Sequence, residues 1–379
     1  MTHITTLPVQ TITTGDQLVS AVEAMHREPA IALDTESNSF FHYPEQLCLV
    51  QISTSLSVVI VDPLAFSEIL PLKGLLANPN VQKIIHAADN DVRSLDRAWG
   101  FRVANIYDTS LAARFAGMTR LGLSALAEEL LGVRLTKEKR LQRSDWGQRP
   151  LSREAQEYAA SDVRHLIAIR DELDKRLRLL GRMGWVAEEF TRLEQIHYEP
   201  PDPESAFLGI KGSRDLSPRG MAVLRALVAF REREALQQGR PHFRIVGDAT
   251  LVYLAAKPEA NLAQTPGLGP AGMQRFGPSL QQAIKEGTNA PPFLRPRPAQ
   301  PRGRRLTQEQ IATLQELKAW RSAMGDRLSL DPSLLWPMIS LERLAGHSST
   351  LDAELGAIEV RAWQRREFGA SLRDILFTT

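Results

Sequence analysis

Short apolar runs rich in β-branched residues recur through the first part of the chain, at residues 30–34 (AIALD), 47–52 (LCLVQI), 58–61 (VVIV) and 83–85 (KII). Runs this short, bounded by polar stretches, predict buried strands, because Val and Ile favour the pleated backbone. The polar and aromatic stretch at 38–46 is short enough for a hairpin-like return between the first two, so the sheet is expected to be mixed. After residues 103–107 the period becomes helical, at 109–115, at 123–131 and in one long amphipathic stretch from 152 to about 180. A sheet flanked by helices, an α/β domain, is the expectation for residues 1–200.

Punctuation in the sequence sets the remaining boundaries. Three prolines in HYEPPDPES, residues 197–205, end any helix, since proline lacks the N–H donor and clashes with the preceding turn. From Ser217 the pattern is helical throughout, interrupted at 291–305 (PPFLRPRPAQPRGRR). Five prolines, five arginines and no acid in those positions predict an extended basic linker. The flanking segments, 210–290 and 306–379, resemble each other. Phe230-Arg231 aligns with Trp320-Arg321 at an offset of 90 (320 minus 230), and FGPSLQQAI at Phe276 aligns with FGASLRDIL at Phe368 at an offset of 92 (368 minus 276). Near-equal offsets indicate a duplicated all-α module, with too few copies for a solenoid.

Composition narrows the classes. With 43% apolar and 24% charged residues the chain has ordinary globular usage and should bury a sizeable core. A net charge of +2 averages over regions of opposite sign and does not select a partner. Cys48, the lone cysteine, excludes an intramolecular disulfide and a thiolate zinc cluster, and fits a reducing compartment. The amino-terminal stretch lacks the basic and apolar regions of a secretory signal, and no apolar run approaches the roughly 20 residues that span a bilayer. A soluble, cytoplasmic protein with no membrane partner is expected.

Candidate chemistry lies in acidic residues. Asp34 and Glu36 end the first predicted strand two positions apart, so their side chains share a face. Paired like charges resist ionisation unless a cation neutralises them, and a hard divalent ion suits oxygen donors; a solvated strand end is the alternative. Asp89 and Asp91 follow the KII strand at the start of a helix, where an acid can equally cap backbone N–H groups. His86, at the strand end, reads as structural. Tyr158 and Asp162 are four apart on a helix and stack on one face, with His165 near it; alone, they read as packing plus a hydrogen bond.

Joined, these residues form the set of the DEDD exonucleases in their tyrosine subclass. The segments DTESNSFFHYPEQLCLVQIS, IIHAADNDVRSL, NIYDTSLAARFAG, LGLSALAEELLGV and RSDWGQRPLSREAQEYAASDVRHL follow one another as in the ribonuclease D family, which the chain resembles from about 30 to 180. The segment from about 216 to 286 resembles the helical (HRDC) domain shared by RecQ-type helicases and ribonuclease D. The second copy resembles it less closely, through KAWRSAMGDRLSLDPSLL and VRAWQRREFGASL.

The resemblance implies a ribonuclease-H-like exonuclease domain with a mixed α/β sheet (1–200), then two all-α HRDC-type modules (210–290 and 306–379) across the basic linker 291–305. It implies two divalent ions, Mg²⁺ or Mn²⁺, held by Asp34, Glu36, Asp91 and Asp162, with Tyr158 orienting the attacking water. Asp91 aligns because the ligand comes five residues after the strand-end histidine, which returns Asp89 to a capping role. The implied reaction is 3′-to-5′ hydrolysis of single-stranded RNA ends to mononucleotides, on tRNA precursors or other structured RNA. The rivals are a DNA exonuclease of the same superfamily and an inactive RNA-binding adaptor; the presence of all five residues opposes the adaptor. Phe40 and Phe41, with Tyr43, could stack terminal bases or pack in the core. Lys139, Arg143 and Arg149, with Lys137 and Arg140, could track phosphates or form a solvated charge run. The modules could bind nucleic acid or protein.

Overall fold

A computed structural model describes residues 7–135, 139–296 and 306–377. Six strands form one sheet: β1 (Val9–Ile12), β2 (Ala30–Ser37), β3 (Leu47–Ser53), β4 (Val58–Val61), β5 (Gln82–Ile85) and β6 (Ile106–Asp108), in the order β1-β4-β3-β2-β5-β6. β3 runs antiparallel to β2 and β4, and the remaining pairs are parallel, so the sheet is mixed. Strand β1 was not expected. It is a four-residue edge strand whose first two residues are exposed, too short and polar to stand out as an apolar run.

Alternation along β2 divides the core. Ile31 and Leu33 face helices α1 (Gly15–Met25), α2 (Pro71–Ala77) and α3 (Asp89–Trp99). Ala30 and Ala32 share the other face with α4 (Thr109–Phe115), α5 (Leu123–Leu131), α7 (Arg153–Arg164) and α8 (Leu166–Leu179); a short α6 (Lys139–Gln142) precedes α7. Alanines on that face let α7 approach the sheet closely. The single long helix expected from 152 to 180 is broken at His165 (φ −107°, ψ −3°), whose N–H turns to the Val163 carbonyl, interrupting the helical ladder. Helix α9 (Met183–Leu193) follows, then the proline-rich segment.

The helical part comprises α10 (Pro218–Gln238), α11 (His242–Ile245), α12 (Asp248–Ala256) and α13 (Gly269–Asn289), then α14 (Gln308–Leu328), α15 (Pro332–Leu335), α16 (Met338–Gly346), α17 (Leu351–Leu355) and α18 (Ala362–Phe377). Two contacts recur in both sets. Phe230 meets Phe276 edge-on at 6.2 Å, and Trp320 meets Phe368 edge-on at 5.9 Å. Arg231 donates to the Val246 carbonyl (3.1 Å), and Arg321 to the Trp336 carbonyl (3.0 Å), each reaching 15 positions ahead. They differ where the single turn Leu262–Gln264 ahead of α13 is replaced by α17 ahead of α18. Most of the basic linker, 297–305, lies outside the described residues.

The modules join the nuclease half differently. The first has a core of its own. The second shares one continuous core with the face of the sheet that carries α7: Trp363 stacks on Trp185 at 4.8 Å and meets Phe115 edge-on at 5.5 Å. Buried Arg182 bonds the carbonyls of Phe115 (2.8 Å) and Leu328 (2.5 Å) across the junction. No described helix is long and apolar enough to cross a membrane.

Candidate active site

The acids converge at the carboxyl end of β2. Asp34 and Glu36 share the face that α7 covers, and α7 brings Asp162 and Tyr158 over them one turn apart. Carboxylate oxygens of Asp34, Glu36 and Asp162 lie within 4.8 Å of one another. Asp91, in the first turn of α3, enters from the other side of β2. Thr35, which alternation turns away from its acidic neighbours, donates its hydroxyl proton to Asp91 Oδ1 at 2.6 Å. All four acids and Tyr158 line one cleft of about 600 Å³, walled also by His86, Leu123, Leu135 and Gln142.

Electrostatics at this cleft oppose ionisation. Burial, then the Asp162 charge, raises the Asp34 carboxyl to about 8 from its ordinary 3.8. Burial raises Asp162 to about 7, although a hydrogen bond from Tyr158 pulls the other way. Glu36 and Asp91 are also held well above their usual range, by burial first and by neighbouring acids second. Burial and the charges of Asp162, Glu36 and Asp34 push the Tyr158 phenol further above its ordinary 10. Trp146, buried beside Tyr158 with ring centroids 6.0 Å apart, backs the phenol.

The turn between β5 and α3 is shaped by a residue that the sequence reading passed over. Asp108 accepts from the N–H groups of Ala87 (3.1 Å) and Ala88 (2.9 Å), and caps α4 through Ser110 (2.8 Å) and Leu111 (3.0 Å). It thereby holds Ala87 at φ 60°, a left-handed conformation costly for a residue with a Cβ. Asp89 makes no side-chain cap bond at the α3 terminus, contrary to the capping role expected of it. It pairs instead with Arg93 at 2.7 Å. His86 lines the cleft and bonds Thr109 Oγ1 at 2.9 Å; burial lowers its pKa, favouring the neutral ring. His165 lies outside the cleft wall.

The expected substrate contacts fare unevenly. Arg149 is a structural residue: its donors go to Asp62 (2.5 and 2.7 Å) and to the carbonyls of Trp146, Gln148 and Cys48. That uses all five guanidinium N–H groups, leaving none for a phosphate. Arg143 is exposed and Arg140 pairs with Glu154 at 2.8 Å. Lys137 and the Lys139 side chain lie outside the described residues. Phe40 and Phe41 do not line the cleft. Tyr43 packs on the first helical module, donating to Glu232 at 2.6 Å.

The 3′-5′ exonuclease family model matches residues 9–178, and the HRDC domain model matches residues 221–284. A ribonuclease D of Gluconacetobacter diazotrophicus is 33% identical over 364 residues, spanning 94% of this chain and 90% of that protein. The chain belongs to the ribonuclease D family. A ribonuclease D of Pseudomonas paraeruginosa is 30% identical over 381 residues, covering 98% of this chain and 99% of the relative. The crystal structure of Escherichia coli RNase D, described as an exoribonuclease involved in structured RNA processing, superposes with a TM-score of 0.73 at 25% identity. That match covers 98% of this chain and 99% of the other. As a member of that family, the chain is a hydrolytic 3′-5′ exoribonuclease that acts on RNA, and Asp34, Glu36 and Asp162 form a candidate site for a divalent metal.

Proposed function

We propose that Asp34, Glu36, Asp91 and Asp162 hold two divalent cations, Mg²⁺ or Mn²⁺, and that the enzyme releases mononucleotides from the 3′ ends of single-stranded RNA segments. The observation that carries this reading is the convergence of three carboxylates within 4.8 Å in a cleft that disfavours their ionisation. Such a donor set is hard, oxygen-only and starved of positive charge, which fits a divalent cation. Two cations bound there would activate water, neutralise the reacting phosphate and stabilise the leaving 3′-oxygen.

The protein's own groups set the geometry. Tyr158 keeps its proton at neutral pH, because its pKa lies above an already high ordinary value, so it orients water by hydrogen bonding and is not the base. Asp162 and Trp146 fix the phenol in place, and Thr35 fixes Asp91. A cleft of about 600 Å³ is of small-ligand size, suited to a terminal nucleotide and too small for a duplex, which favours action at an end.

The substrates in this reading are tRNA precursors or other structured RNAs with a trailing 3′ extension, in line with the description of the Escherichia coli relative. The second helical module is a divergent copy of the HRDC domain, supported by the paired contacts of Phe230 with Phe276 and Trp320 with Phe368. The free thiol of buried Cys48 suits the cytoplasm.

The test uses 5′-labelled RNA and DNA oligonucleotides of one sequence with Mg²⁺ or Mn²⁺. The reading expects stepwise shortening from the 3′ end, mononucleotide products, and RNA consumed faster than DNA. Faster loss of DNA would make the chain a DNA exonuclease; binding without product would make it an adaptor.

A further inference from the structure

Two exposed phenylalanines from different parts of the chain meet beside the active-site strand. Phe40 is 52% exposed, on the loop leaving β2, and Phe243 is 58% exposed, on α11 of the first helical module. Their rings approach edge-on at 6.5 Å. The exposed Arg244 lays its guanidinium over the Phe41 ring at 4.9 Å and beside Phe243 at 5.9 Å. Large apolar rings paired in solvent have a cost that a monomeric surface normally avoids, and such pairs mark binding surfaces.

The platform is built to stay in place. Tyr43, three residues after Phe40, donates to Glu232 at 2.6 Å, meets the His242 ring in a tilted contact at 4.3 Å, and bonds the Gly239 carbonyl through its N–H at 3.2 Å. The same loop is held on the nuclease side, where His42 pairs with Asp145 at 3.4 Å. Phe40 lies four residues beyond Glu36, so chain length keeps its backbone within roughly 14 Å of that acid's, yet it is absent from the cleft wall.

Charge selects the occupant. Both oxygens of Glu232 are bonded, to Tyr43 and to His242, and Asp248 is paired with Arg231 at 2.6 Å. Exposed Arg240 and Arg244 have no carboxylate partner among the described residues, so their guanidinium groups are open to phosphates. Aromatic faces with a stacked guanidinium, positive and sequence-tolerant, suit the bases and phosphates of a single strand. We propose that Phe40, Phe243 and Arg244 form a clamp, shared between nuclease domain and first helical module, that grips the single-stranded RNA segment just upstream of the terminal nucleotide. The proposal rests on RNA as substrate and assigns the first module a part in holding it.

The test measures affinity of the full chain in EDTA, where turnover is stopped, for fluorescent single-stranded RNAs. One is a trinucleotide; the other is a tail of about twelve nucleotides, long enough to pass the clamp. Phe243→Ala, Phe40→Ala and Arg244→Ala are each expected to weaken the long tail about ten-fold and the trinucleotide about two-fold or less. Phe243→Trp restores the long-tail affinity. Equal losses at both lengths, no loss at either, or failure of the tryptophan to rescue would overturn the clamp. Wild-type protein that binds the tail with this length dependence but releases no nucleotide with Mg²⁺ would leave the clamp standing while overturning the proposed reaction.

Discussion

Thr35 donates its hydroxyl proton to Asp91 at 2.6 Å, linking β2 to α3 across 56 positions of sequence. The acid on the far side of the strand is thus oriented by the residue between the two acids on the near side. Thr35→Val keeps the shape and removes the donor. It should lower the rate at saturating RNA by roughly ten- to hundred-fold, as lost partners of metal ligands commonly do, with the fold intact by circular dichroism. A full rate would mean that Asp91 needs no such support.

That contact also marks how far the sequence could be read. Asp34 with Glu36, and Tyr158 with Asp162, were visible because strand and helix periods dictate which neighbours share a face. Thr35 and Asp108 were not, since the partners that give them a role are 56 and about 20 positions away. Arg149 was misread for the same reason: its carboxylate, Asp62, lies 87 positions distant, so a residue in a basic loop looked free. The second helical module was legible because large aromatic residues anchor each segment at nearly equal spacing. Its docking was not, because nothing local distinguishes Trp363, which stacks on the nuclease, from a residue of the module's own core.

Trp363 is fully buried at that junction. Trp363→Ala should cost about 3–5 kcal/mol and lower the unfolding midpoint of the nuclease half along with its own module. Urea unfolding, followed by tryptophan fluorescence and by residual activity, checks this. An unchanged activity midpoint would show that the two cores are independent.

Without metal, stability should fall as pH rises. Asp34 and Asp162 titrate near 8 and 7 in the fold, against an ordinary value of 3.8 for both. Between those limits the folded chain binds more protons than the unfolded one, so stability present below about pH 4 is lost as pH rises through 7 to 8. In EDTA the thermal midpoint should drop between about pH 5.5 and 8.5, Asp34→Asn should flatten the drop, and Mg²⁺ should reverse it. A midpoint that climbs over this range would contradict the assigned shifts.

Gln51 is fully buried opposite Asp34 on β3, and neither of its amide atoms has a hydrogen-bond partner among the described residues. Gln51→Met should therefore stabilise the protein, by roughly 1–2 kcal/mol in urea unfolding. A destabilised variant would show that the amide is satisfied in solution.

The central claim is that four carboxylates hold the metal that cleaves RNA. It is tested most directly by measuring divalent-ion affinity and single-turnover release from one single-stranded RNA in Asp34→Asn, Glu36→Gln, Asp91→Asn, Asp162→Asn and Tyr158→Phe. The account predicts that each acid variant loses metal affinity and about a thousand-fold or more in rate while still binding RNA, and that Tyr158→Phe keeps metal affinity but loses rate. An acid variant that binds metal and cleaves RNA like the wild type would contradict it.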